Sequence, residues 1–161
     1  MHSRIFRIIN AKSEKPTKTI EEELNMWDNL PSGMDYVIDQ SQEELKQDIQ
    51  WLFRVLDMDS NNPNYYTYNS KTKTIVFGKW FKREYFDKRL DELKEKLSQD
   101  DAEKRFSESG MFAYELCSLI EEKYGFQVMS EDGCITNFDD FVRCLKIDTE
   151  YKILQSADYH W

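Results

Sequence analysis

The spacing of apolar side chains changes several times along the chain, and each change marks an expected element. Tyr65-Tyr66-Thr67-Tyr68 and Thr74-Ile75-Val76-Phe77 are β-branched and aromatic runs. The turn-rich Asn69-Ser70-Lys71-Thr72-Lys73 separates them, which predicts a β-hairpin over residues 65–78. Phe86, Leu90, Leu93 and Leu97 follow at spacings of four, three and four, so a helix over 81–97 would carry them on one face. A sheet face and a helix face adjacent in sequence can cover each other, and this stretch is expected to seed the core.

Other segments give weaker signals. Residues 4–10 run from basic-apolar alternation into Ile8-Ile9, as a half-buried strand would. Thr19 and Glu22 have capping-box spacing ahead of Ile20, Leu24 and Trp27, predicting a short helix that Leu30-Pro31-Ser32-Gly33 ends. Residues 35–39 read as a short strand or an extended connection. Ser41 and Glu44 form a second capping box before the stripe Leu45, Ile49, Leu52, Phe53 and Leu56, with Trp51 at its edge. Residues 102–106 could form one helical turn, and 108–124 a longer helix with Phe112, Leu116, Leu119, Ile120 and Tyr124 inward and Gly125 as its cap. Residues 126–129 and 134–136 read as two short strand arms, 138–146 as a helix capped by Thr136 or Asn137, and 151–154 as a last strand. The aromatic end Tyr159-His160-Trp161 is expected to dock on the core or on a partner. Together these predict a single α+β domain spanning 1–161, with about four main helices on a small, mainly antiparallel sheet and the 65–78 hairpin at its centre.

Composition narrows the class. Five glycines, three prolines and 14% aromatics describe a packed chain of 161 residues. No apolar run approaches the roughly 20 residues of a membrane helix, and no signal peptide is recognisable, so the expected location is the cytoplasm, away from membranes. Cys117, Cys134 and Cys144 are odd in number and widely spaced, which suits reduced thiols. Cys117 and Cys144 read as small apolar fillers within helices, and Cys134 as the exposed one.

The net charge of −9 is unevenly placed. Residues 20–60 hold eleven Asp/Glu against two Lys/Arg, whereas 61–97 hold nine Lys/Arg against five Asp/Glu. Glu21, Glu22, Glu23, Asp28, Asp35, Asp39, Glu43, Glu44 and Asp48 are therefore the candidate partner-binding acids. A face built from them would attract a basic protein, or the nucleic-acid-binding cleft of one, and would disfavour direct nucleic-acid binding by the chain itself. Lys79, Trp80, Lys82, Arg83, Tyr85, Lys88 and Arg89 form the alternative site, a basic aromatic patch of the mixture used to hold single-stranded nucleic acid.

Catalytic signals are sparse. The only histidines, His2 and His160, lie near the two ends, and the cysteines lack zinc-ligand spacing. No glycine-rich phosphate loop occurs, and Asp57, Asp59 and Asn61 begin a calcium-loop pattern that Asn62, Pro63 and Tyr68 break. No cofactor, metal site or catalytic residue is expected. The sequence favours a non-enzymatic acidic binding protein that engages and inhibits a basic partner, as a nucleic-acid mimic, immunity or anti-defence protein does. An enzyme built on carboxylates, with or without a divalent metal, is the second reading, and the 66–89 nucleic-acid binder the third.

Overall fold

The strand that organises the sheet lies at the end of the chain, not in the hairpin. The structure, a computed structural model, describes residues 2–25, 34–60, 62–98, 109–121 and 125–160. In chain order the elements are β1 (His2–Asn10), α1 (Ile20–Asn25), β2 (Tyr36–Asp39), α2 (Gln42–Leu56), β3 (Tyr66–Asn69), β4 (Thr74–Phe77), α3 (Phe81–Ser98), α4 (Ser109–Glu121), β5 (Phe126–Met129), β6 (Ile135–Asn137), α5 (Phe138–Cys144) and β7 (Glu150–His160). β7 pairs antiparallel with β1 from His2↔His160 to Asn10↔Tyr151, with a register shift at Arg7/Ile8. Its other edge is shared by β4, opposite Glu150 to Lys152, and β2, opposite Ala157 to His160.

The result is an open, mixed sheet of seven strands, ordered β3-β4-β7-β1-β5-β6 with β2 beside β7. β1 and β5 run parallel and the other pairs are antiparallel. The fold is thus α and β elements combined, as expected, but the sheet is larger than the small one anticipated, and the hairpin β3-β4 lies at its margin rather than its centre. Five helices are present among the described residues. The expected helix end at Trp27, the break at 30–33, the turn at 102–106, Tyr124 and Trp161 lie outside the described residues, as does Asp28.

Alternating side chains of β1 feed two cores, because successive strand residues point to opposite faces. Phe6 and Ile8 join Leu45, Ile49, Leu52 and Leu56 of α2, Phe81 of α3 and Val142 of α5 on one face. Ile5 joins Ile20, Leu24, Val37, Met129, Ala157 and Tyr159 on the other. That explains the unbroken Ile5-Phe6 and Ile8-Ile9 pairs: a strand covered on both sides has no solvated face to alternate with. Tyr159 is fully buried and its hydroxyl donates to the Gly125 carbonyl at 3.0 Å, so this residue of the aromatic end is part of the core.

Two expectations fail on exposure. On α3 the inward residues are Phe81 and Tyr85, whereas Phe86, Leu90 and Leu97 are 39%, 49% and 57% exposed. The cause is the helix's entry. Gly78 N–H donates to the Tyr65 carbonyl and Trp80 N–H to the Asn64 carbonyl, both at 2.8 Å, which sets α3's rotation so that Phe81 meets Phe77 at 4.5 Å between ring centres. Cys117 and Cys144 are exposed, as Cys134 is, and are therefore not apolar filler. Among the described residues no helix is long and apolar enough to cross a membrane.

Candidate functional site

The acidic stretch folds into a corner where α1, β2 and the first turn of α2 meet. Local capping builds it. Thr19 accepts from Glu22 N–H at 3.2 Å and Glu22 returns the bond to Thr19 N–H at 2.9 Å. Ser41 and Glu44 repeat the arrangement at the start of α2, at 3.3 and 2.8 Å. Between the two caps, Glu21 N–H donates to the Asp39 carboxylate and Asp39 N–H to the Glu21 carboxylate, each at 3.1 Å, which latches α1 to β2. Lys18, Thr19, Glu21, Glu22, Asn25 and Asp39 then surround an open hollow of about 720 Å³.

The nine candidate acids divide by what they touch. Glu23 pairs with Arg7 at 2.5 Å, and Arg7 is fully buried. Asp48 is buried, accepts from Arg4 Nε at 2.9 Å and from Ser156 Oγ at 2.7 Å, and shares Arg4 with Asp158. Both therefore serve the interior of the sheet. Asp35 lies beside His160 Nδ1 at 2.9 Å, with Tyr36 stacked on the His160 ring. Glu43 makes a well-exposed pair with Lys46. Glu21, Glu22, Asp39 and Glu44 make no ion pair among the described residues. Their carboxylates accept from backbone amides, which orders them without cancelling their charge. The Ser41 hydroxyl and backbone amide hold Glu44 below the usual carboxylate range, keeping it ionised.

The basic aromatic residues do not converge on one open surface. Lys79 and Trp80 are exposed and form a cation–π pair at 5.0 Å. Lys82 donates to the Arg143 carbonyl at 2.8 Å, and Arg83 pairs with Asp87 along α3 at 3.4 Å. Tyr85 is buried, its hydroxyl donating to Asp139 at 2.6 Å. Lys88 reaches the Leu56 and Asp57 carbonyls at the end of α2, and Arg89 lies between Glu92 and Asp139. These contacts tie α3 to α2 and α5. Between the three helices and β5 they leave a cavity of about 280 Å³ walled by Trp51, Tyr85, Phe126 and Phe138, with Arg89 and Glu92 at its side.

Sequence reasoning found the acids but missed Lys18, Thr19 and Asn25 as their neighbours around the hollow; the capping role of Thr19 was the available signal. It missed the aromatic cavity altogether, since the walls come from four elements distant in sequence. Among the described residues no group of three or more His, Cys, Asp or Glu side chains is arranged to hold a metal ion. The chain matches no protein-family model, no curated protein sequence and no solved structure.

Proposed function

We propose that this chain is a non-enzymatic binding protein whose α1–β2–α2 corner engages a basic surface of a partner protein and, by occupying it, blocks that surface. The observation carrying this reading is the placement of Glu21, Glu22 and Asp39 around one hollow, with Glu44 ionised at the adjacent helix start. Fixed carboxylates of one sign raise the local field, speed encounter with a cationic partner and penalise anionic ones. Lys18 at the hollow's rim provides a counter-charge that sets orientation.

An oligo-lysine peptide serves as the probe in a fluorescence-anisotropy titration. Glu21→Lys combined with Glu43→Lys should weaken binding about tenfold or more at low salt, two like charges replacing two attractive ones. Glu92→Lys combined with Glu95→Lys on α3 makes the same change in net charge and should weaken it far less. Raising ionic strength from about 0.1 M to about 1 M shortens the screening length from roughly 10 Å to 3 Å and should abolish the difference. Equal losses in the two double variants, or affinity indifferent to salt, would remove the corner as the site.

A further inference from the structure

Five of the eight exposed large apolar side chains among the described residues lie on α3 and the helix it contacts, α4: Phe86, Leu90, Leu97, Met111 and Tyr114. On α3 they are ordered. Phe86, Leu90, half-buried Leu93 and Leu97 repeat at four, three and four, the spacing of a two-heptad coiled-coil seam. The mean direction of the seam is turned more than a third of a revolution from that of Phe81 and Tyr85, the buried residues of α3, since each residue advances the helix by 1/3.6 of a turn. An apolar stripe kept at this spacing and left in solvent is an interface waiting for a helix of matching period.

We propose that this stripe pairs with the same stripe of a second copy of the chain, the two α3 helices running antiparallel across a two-fold axis. In that register Phe86 packs opposite Leu97 of the second copy and Leu90 opposite Leu93, so large and branched side chains interleave along the seam. Charge on one flank favours the same register, while on the flank nearer the body Arg89, already answered by Asp139 and Glu92, comes opposite Lys96. On the seam's solvent-facing flank Asp87 comes opposite Lys94 of the second copy, and the two-fold axis makes that pair twice. Asp87 and Lys94 are 61% and 62% exposed, and their present partners Arg83 and Asp91 are neighbours on the same helix, so re-pairing across the axis displaces only weak contacts. A parallel arrangement would instead bring both bodies, which pack against the first turns of α3 through Phe81 and Tyr85, to the same end. This contact is separate from the acidic corner and leaves it open.

Sedimentation equilibrium of the full chain over a concentration series reads the outcome. The wild type should show a monomer–dimer equilibrium, and Leu90→Glu should raise its dissociation constant about a hundredfold, as removal of a central apolar anchor does. Because Leu90 is half-exposed in the single chain, that variant should match the wild-type melting temperature at concentrations well below the dimer's dissociation constant, where both are monomeric. Asp87→Lys and Lys94→Asp should each weaken the dimer roughly tenfold by placing like charges across the axis twice. The two together should restore wild-type affinity. A wild type that stays monomeric at all concentrations overturns the proposal and leaves the stripe to a different protein. A dimer indifferent to Leu90→Glu, or a charge swap that fails to rescue, overturns the register and with it the assignment.

Discussion

Removing Glu23 should destabilise the protein more than removing both Glu23 and the arginine it serves. Arg7 is fully buried on β1, where its guanidinium donates to Glu23 at 2.5 Å, to the Lys18 carbonyl at 2.7 Å and to the Met129 sulfur at 2.7 Å, while its Nε has no hydrogen-bond partner. Burial pushes its pKa down, opposed by the charges of Glu23 and then Asp39. Glu23→Ala leaves a buried cation with Asp39 as its remaining acidic neighbour. Breaking a buried pair in this way costs about 3–5 kcal/mol, and the lower end applies because Glu23 is 25% exposed. At roughly 2–4 °C per kcal/mol for a chain of this size, about 3 kcal/mol lowers the melting temperature by about 6–12 °C. Arg7→Met with Glu23→Ala replaces the charge by an unbranched apolar side chain of similar length beside Met129, and should cost no more than about 1 kcal/mol. Urea unfolding followed by tryptophan fluorescence measures both variants. A single variant within 1 kcal/mol of wild type, or a double variant no more stable than the single, would refute this account of Arg7.

Two further outcomes follow from the geometry. Gly78→Ala would place a Cβ 2.1 Å from the Pro63 carbonyl oxygen and 2.5 Å from the Asn64 backbone, so the hairpin must separate from the loop before it. A cost above about 3 kcal/mol is expected, with amide exchange rising first over Tyr66 to Phe77; a cost near zero would show that this contact can relax. The carboxylates of Glu44 and Asp132, both held below their usual range by hydrogen bonds, bind fewer protons folded than unfolded. Their contribution is therefore complete above the ordinary carboxylate range and is lost as pH falls through their depressed folded values. Glu44→Gln should accordingly narrow the stability difference between neutral and acidic pH, and an unchanged acid limb of the stability profile would show that the cap does not carry it.

Where an element is specified by its own residues, the sequence was legible. α2 is the clearest case: Ser41 and Glu44 make the expected box, and Leu45, Ile49, Leu52 and Leu56 are all buried. β7 was legible only over residues 151–154; its continuation to His160 was not, because its inward positions include Ser156 and its partners lie some 150 residues away on β1. Ser156 is tolerated inside since Asp48 accepts its hydroxyl proton, and Asp48 in turn answers Arg4. No local pattern announces a polar group whose partner arrives from another element. α3 failed for a related reason: periodicity shows that four side chains share a face, but the turn at Gly78 decides which way that face points. The acids were legible as a cluster along the chain and illegible as a surface, because only the fold separates Glu23 and Asp48, turned to arginines, from Glu21 and Glu22.

That separation determines how the acidic corner must be probed. Neutralising Glu23 leaves the buried Arg7 without a close counter-charge, and neutralising Asp48 leaves Arg4 to Asp158 alone and the buried Ser156 hydroxyl without its charged acceptor, so any loss of binding would be inseparable from loss of fold. Glu21 and Asp39 lie between these cases, since each holds a backbone amide of the other's element. Lysine at position 21 forfeits half of that latch while leaving the Asp39 carboxylate on Glu21's own amide. Glu43 contributes charge with only an exposed neighbour, Lys46, to answer it, which makes it the least structural of the set. A graded series therefore discriminates field from fold: if the corner acts through its field, loss of affinity should follow the charge removed at positions 43, 22 and 21, whereas loss of stability should follow the hydrogen bonds removed. The two orders differ, since reversing Glu43 changes the field as much as reversing Glu22 but breaks no cap. Parallel loss of binding and stability across the series would mean that the corner's acids matter to the partner only through the fold they hold.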